Sequence, residues 1–144
     1  MNFDPHNSAV HLIHRVTQIA ADRFATILNG TLTVRQVVIM AAIKAESSPT
    51  QTQIVTITGV DRSTVADMIM RLIKRRYVSR KRSKSDARAN ELKLTSEGEN
   101  ALAVGLAAMS RVELAELLNA SKHVAMRDAL ATIVEKSRER GSQD

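Results

Sequence analysis

The chain has no cysteine and no tryptophan, and its only aromatic residues are Phe3, Phe24 and Tyr77. Without thiols it can form no disulfide, no thiolate metal site and no thiol-based redox sensor. With so few rings, its core must be built from Leu, Ile, Val, Ala and Met, which suits close-packed helices. No apolar run reaches the length of a membrane span. The opening MNFDPHNSAVH lacks the charged start and apolar stretch of a signal peptide, so a cytoplasmic location is expected. The sequence contains no internal repeat, no low-complexity segment and no phosphate-cradling glycine loop. It also offers no Ser/His/Asp constellation within a recognisable motif, so an enzyme is not expected. No cofactor is expected either.

What is present is concentrated charge. Residues 60–93 hold 11 of the 21 Lys and Arg residues and four acids: Asp61, Asp67, Asp86 and Glu91. That local excess of seven exceeds the whole-chain charge of +6, so the rest of the chain is slightly negative. A focused positive field attracts a polyanion and releases its counterions on contact.

Apolar periodicity and capping residues place six helices and one hairpin. Residues 8–29 read as a first helix, with Ala9, Leu12, Ile13, Val16, Ile19, Ala20, Ile27 and Leu28 at spacings of three and four. Asn29-Gly30 would end it. Thr33-x-x-Gln36 has capping-box form and opens a second helix, with Val37, Val38, Met40, Ala41 and Ile43 expected inward. Thr50-x-x-Gln53 repeats that signal and starts a short third helix, which Gly59 would stop. Asp61 would cap a fourth helix running to about Arg75, with Val65, Met68, Ile69, Leu72 and Ile73 as its core stripe. Two short strands are expected over 77–82 and 91–95, joined by a polar tip. Thr95 or Ser96 would cap a fifth helix to about Leu118, with Ser96-x-x-Glu99 as a capping box. A turn over 119–121 then leads to a sixth helix over 122–138, and the tail from Arg140 is expected to fray.

This order is that of a winged helix-turn-helix, mainly α with a small β-hairpin wing. A domain over 1–144 is expected, with the winged helix over about 32–98. Residues 8–29 and 96–138 carry more apolar side chains than one winged helix can cover, which fits dimerisation helices, with packing wholly within one chain as the alternative.

The residues resemble the MarR family of bacterial transcription regulators. The matching run is Leu32-Thr33-x-x-Gln36, Val60-Asp61-Arg62-Ser63-Thr64-Val65, Leu72-x-Lys74-Arg75 and Val78-x-Arg80. It continues with Asp86-x-Arg88 and ends at Leu94-Thr95-x-x-Gly98. The resemblance implies a homodimer whose outer helices intertwine and whose winged helices read a palindromic operator in double-stranded DNA. It also implies release from DNA by a small, often aromatic or phenolic, inducer. Two positions depart from the pattern. The usual glycine after the recognition helix is Arg76, where the turn is expected to adjust and Arg76 to reach a phosphate. The middle of the family's Asp-Arg-Arg loop pattern is Ala87, which removes one candidate minor-groove arginine.

The expected function is therefore a sequence-specific DNA-binding regulator, a repressor. On the fourth helix, Arg62, Ser63, Thr64, Asp67, Met70, Arg71 and Lys74 are the DNA-contact candidates. Ser63, Asp67, Met70 and Lys74 would face the major groove, where Asp can accept from cytosine N4 and Met can touch a thymine methyl. Arg62, Arg71, Arg75 and Arg76 would meet phosphates. In the wing, Arg82, Lys84 and Arg88 are candidates for the minor groove, with Asp86 shaping the tip. The bland alternative is a solvated helix face and a solubilising hairpin. His11, His14 and Arg15 share a region of the first helix and could line an anionic ligand pocket. His6, His11 and His14, with His123 or an acid, could instead hold zinc in a metal-responsive regulator. A third alternative is a winged-helix protein-interaction module that no longer reads DNA.

Overall fold

Side-chain caps set the starts of six helices in a computed structural model of the protein, which describes residues 4–82, 90–112 and 118–141. Its helices are α1 (Ala9–Ile27), α2 (Val34–Ala45), α3 (Gln51–Thr58), α4 (Arg62–Lys74), α5 (Ser96–Val112) and α6 (Ala120–Gly141). Its strands are β1 (Val78–Arg82) and β2 (Asn90–Leu94). The chain divides into two compact units, Met1–Val112 and Glu113–Asp144.

Two of the three expected capping boxes form. Thr33 Oγ1 accepts the Gln36 N–H at 3.2 Å, and Gln36 Oε1 accepts the Thr33 N–H at 3.0 Å. Thr50 and Gln53 make the same exchange at 3.3 and 2.7 Å. Asp61 Oδ1 accepts the Thr64 N–H at 2.9 Å. Each bond satisfies a backbone donor that the first helical turn leaves without a partner. Ser8 caps α1, and the chain leaves that helix through left-handed Asn29 and Gly30. At α5 the cap is Thr95, whose Oγ1 accepts the Gly98 N–H at 3.0 Å. Ser96 is already helical, so the expected Ser96/Glu99 box gives way to the residue before it.

The core of the first unit gathers Phe24, Val37, Ile39, Met40, Ile43, Ile54, Val65, Ile69, Leu72, Leu92 and Leu102, all buried. Burying a side chain of this size stabilises the fold by roughly 1.5–3 kcal/mol relative to leaving it in water. Helix α2 is central, touching α3, α4, α5 and β2. Its inward face differs from the expected one. Ile39 and Ala42 are buried, Ala41 is half-buried, and Val38 is 38% exposed. A helix wrapped by four neighbours buries more than one stripe, so single-face periodicity misplaces its rim. Phe24 on α1 is a core residue outside the apolar set read from spacing.

The strands pair antiparallel with Val78 opposite Leu94, Arg80 opposite Leu92 and Arg82 opposite Asn90. A single bridge joins Thr50 to Glu91, and the Leu92 N–H donates to the Pro49 carbonyl at 2.9 Å. The hairpin is thereby tied to the start of α3.

The turn after α4 does not adjust. Arg76 stays left-handed, with φ 62°. Its N–H donates to the Ile73 carbonyl at 2.8 Å, and the Tyr77 N–H donates to the Leu72 carbonyl at 2.9 Å. These two bonds form a Schellman ending, which needs a left-handed residue at this position. The ending satisfies helix carbonyls and directs the chain into β1, and it holds Arg76 against its own preference. Arg76→Gly should therefore raise unfolding stability by about 1 kcal/mol in a denaturant titration. Arg76→Ala should show no such gain, because alanine keeps the Cβ; equal stabilisation by both would place the effect elsewhere.

Helix α5 is described as far as Val112; residues 113–117 lie outside the described residues, and Leu118, the expected end, is not helical. In the second unit, Asn119 caps α6 by accepting the Lys122 N–H at 3.0 Å. The helix thus starts two residues before the expected Lys122, where a turn was anticipated. It continues through Arg140 to Gly141 rather than fraying at Arg140. Among the described residues, no helix is long and apolar enough to cross a membrane.

Candidate nucleic-acid interface

Helix α4 is delivered to the surface by a tight turn. Gly59 closes α3 in a left-handed conformation at φ 66°, and its N–H returns to the Val55 carbonyl at 2.9 Å. Val60 and Asp61 then lead directly into α4. Val65, Ile69 and Leu72 bury one face of that helix. The opposite face carries Ser63, Asp67, Met70 and Lys74, all exposed, at spacings of four, three and four. These intervals keep them on one stripe. Met70 is 58% exposed, an unusual setting for an apolar side chain flanked by charges. Arg62 and Arg71 are also exposed and flank the stripe, whereas Thr64 is half-buried.

Asp67 and Arg71 form an ion pair one turn apart, with Arg71 Nε 2.9 Å from Asp67 Oδ2. Both side chains are largely exposed, so the pair adds little stability. It does neutralise the one acid on the stripe. Asp61 accepts a second bond, from the Ser63 hydroxyl at 2.6 Å. That hydroxyl, followed by the Thr64 side chain and the Thr64 N–H, holds the Asp61 carboxyl well below the usual carboxylate range. A depressed value means that any linked stability is complete at neutral pH and is lost as pH falls through it.

Arg75 behaves unlike the other basic residues of this region. Its guanidinium donates to the Thr31 carbonyl, which pins the end of α4 to the turn ahead of α2. This bond ties together residues 44 positions apart, so Arg75 braces the fold while its side chain stays exposed. Thr95 is a second positioning residue that sequence reading took only as a helix cap. Its hydroxyl donates to the Arg76 carbonyl at 2.6 Å, and its N–H to the Tyr77 carbonyl at 3.0 Å. The end of the wing is thus locked to the end of α4.

The hairpin exposes Arg80, Lys81, Arg82 and Lys93. Arg80, Lys81 and Lys93 extend the exposed basic surface beyond the candidates read from sequence, and their signal was the charge excess itself. Lys84, Asp86, Ala87 and Arg88 lie outside the described residues. On α1, His11, His14 and Arg15 are exposed. Among the described residues, no three His, Cys, Asp or Glu side chains come together as metal ligands. A shallow cleft of about 290 Å³ lies between the end of α2, β2 and the first turn of α5, lined by Ile43, Lys44, Ser47, Ser48, Lys93, Leu94 and Glu99. None of the three α1 residues lines it.

Comparison with known proteins places this arrangement. Residues 32–89 match the model of the MarR family. The chain is similar to the PcaV transcriptional regulator from Streptomyces coelicolor, solved in complex with its natural ligand. The two are 28% identical over 95% of this chain and 99% of that one, with a TM-score of 0.84. It is also similar to the transcriptional repressor CouR bound to a 23-mer DNA duplex, at 26% identity over 93% and 99% of the two chains and a TM-score of 0.82. A probable transcriptional regulator from Pseudomonas aeruginosa shares the fold, with 23% identity over 90% and 99% and a TM-score of 0.84. No curated protein sequence matches the chain. The winged helix and the basic hairpin of this chain are thus those of a MarR-like fold, with the family match carried by residues 32–89.

Proposed function

We propose that the protein is a homodimeric repressor that reads a palindromic operator and is released by a small ligand. The observation that carries this reading is the exposed stripe of Ser63, Asp67, Met70 and Lys74 beside a hairpin exposing Arg80, Lys81, Arg82 and Lys93. A helix of this shape fits a major groove, and the flanking cations fit the phosphates on either side. In this reading Arg62, Thr64, Arg71 and Arg76 position α4 on the backbone. Arg82, Lys84 and Arg88 serve the wing, with Asp86 shaping its tip. The DNA duplex bound by CouR supports the partner class.

Dimerisation is supported by apolar surface that one chain leaves in water. Val10, Leu12, Ile13, Val16 and Ile19 are exposed on α1, and Val104 and Leu106 on α5. Within the second unit, Val124, Leu130, Ile133 and Val134 are exposed on α6. Exposed large apolar side chains on a helix are a common mark of an interaction site, and a two-fold dimer matches a palindrome. On this reading residues 1–144 act as one functional domain in the cytoplasm. The ligand-bound PcaV supports a small-molecule inducer, for which His11, His14 and Arg15 are the proposed contacts.

The test is a fluorescence-anisotropy titration against DNA from upstream of the protein's own gene and a scrambled duplex. Binding to the upstream DNA should be at least about 10³-fold tighter, with two chains per duplex. Equal weak binding to all genomic fragments tried would sink the sequence-specific reading and favour a protein-interaction module.

A further inference from the structure

Ser63 sits one turn from Asp67 on the exposed stripe of α4, and its hydroxyl is already in use. The hydroxyl donates to Asp61 Oδ1 at 2.6 Å, while the same oxygen accepts the Thr64 N–H at 2.9 Å. A serine hydroxyl has one hydrogen and two lone pairs. With the hydrogen held by Asp61, only the lone pairs remain to meet a partner. We infer that Ser63 acts on DNA as an acceptor only and reads an exocyclic amino group, cytosine N4 or adenine N6. Asp61 is the positioning residue that imposes this polarity. The inference rests on the proposed DNA-binding role and specifies the chemistry of one contact within it.

The alternatives fail on donor count. A phosphate oxygen can only accept, and so can guanine O6 and N7, thymine O4 and adenine N7. None of them can bond to a hydroxyl that has no hydrogen to give. In the major groove that leaves the amino groups of cytosine and adenine. Turning the hydroxyl outward would surrender a charge-assisted hydrogen bond, so the donating rotamer is disfavoured. The surroundings act in the same sense. Asp67 is four residues further along the stripe, about 6 Å along the helix axis at 1.5 Å per residue. Its Oδ2 is held by Arg71 Nε at 2.9 Å. The carboxylate itself can only accept, so the stripe presents a second acceptor beside Ser63.

Asp61 thus does two things with one carboxylate. It caps α4, and it converts an undiscriminating serine into one that separates amino-bearing from keto-bearing bases. On the strand facing Ser63, adenine or cytosine is favoured over guanine or thymine. Nothing in the local sequence announces this, because a serine two residues after an N-cap can rotate either way.

The experiment is selection of binding sites from a randomised duplex library by the full chain, its Ser63→Ala variant and its Asp61→Gly variant. Serine 63 is exposed on a helix and alanine is the best helix former, so Ser63→Ala should fold. Glycine is tolerated as an N-cap, and the melting curve of each variant checks its fold. The wild type should show one base pair with adenine or cytosine preferred about 10-fold. Ser63→Ala should erase the preference at that pair and leave the other positions ranked as before. Asp61→Gly, which releases the hydroxyl, should admit guanine or thymine at the same pair.

Two results would overturn the inference while leaving DNA recognition intact. Ser63→Ala could weaken all sequences alike, which is the mark of a phosphate contact. The Ser63-dependent pair could instead prefer guanine or thymine, which is the mark of a donor. A wild type that selects no sequence would remove the underlying DNA-binding reading and the inference with it.

Discussion

Gly98→Ala should lower the stability of the fold by about 3 kcal/mol or more, enough to leave much of the protein unfolded at moderate denaturant. Gly98 is buried in the first turn of α5, where that helix crosses the entry to β1. A Cβ built there would lie inside contact distance of the Tyr77 carbonyl oxygen and 2.8 Å from the Tyr77 carbonyl carbon. The obstacle is backbone, and it is held from several sides. The Tyr77 carbonyl accepts the Thr95 N–H, the Tyr77 N–H closes the α4 ending, and Val78 pairs with Leu94. Relief would require breaking one of these bonds or lifting α5. Gly105→Ala is the natural comparison. Its Cβ would meet Val37 Cγ2 at 2.6 Å, a side-chain methyl that can shift. It should cost less. Urea denaturation followed by circular dichroism separates the two, and equal losses would mean that the α5 crossing is more yielding than its hydrogen bonds indicate.

Operator affinity should fall by roughly 10⁴ between 50 and 200 mM salt. The described part of each chain exposes Arg62, Arg71, Lys74 and Arg76 around α4, and Arg80, Lys81, Arg82 and Lys93 on the hairpin. If about half of these reach phosphates in each of two protomers, some eight counterions are released, for a log–log slope near −7. Arg75 is left out of that number because its guanidinium is engaged with Thr31. The prediction is sensitive to how the hairpin lies. A wing lying along the duplex gives the steep slope; a wing held off it leaves only the α4 cations. Anisotropy titrations at several salt concentrations measure the slope directly. A value shallower than about −3 would take the hairpin out of the interface.

Much of the scaffold was legible because it is written in short-range chemistry. Thr33 with Gln36, Thr50 with Gln53, and Asp61 ahead of Thr64 are contacts within one helical turn, so spacing alone reveals them. The hairpin was legible to within a residue, because alternation and a polar tip are local signals. The concentrated charge of residues 60–93 also needs no coordinates.

The remainder depends on rotamers and backbone conformations that spacing does not fix, or on partners distant in sequence. Arg76 looked unsuited to a left-handed turn, and by its own preference it is. The Schellman bonds to Ile73 and Leu72 and the hydroxyl of Thr95 outweigh that preference. Val38 and Ile39 could not be ranked from periodicity, because α2 meets four neighbours at once. Arg75 reads like its basic neighbours until Thr31 is brought beside it. Ser63 reads as an open hydroxyl until its rotamer places the hydrogen on Asp61. By itself, then, the sequence determined where α1 to α4 start, where the charge lies and which face of α4 is polar, since each follows from nearby residues. Only the tertiary structure decided which cations remain available, which residue tolerates strain and which way a hydroxyl points. Those outcomes are set by competition among local and long-range contacts that only the folded chain resolves.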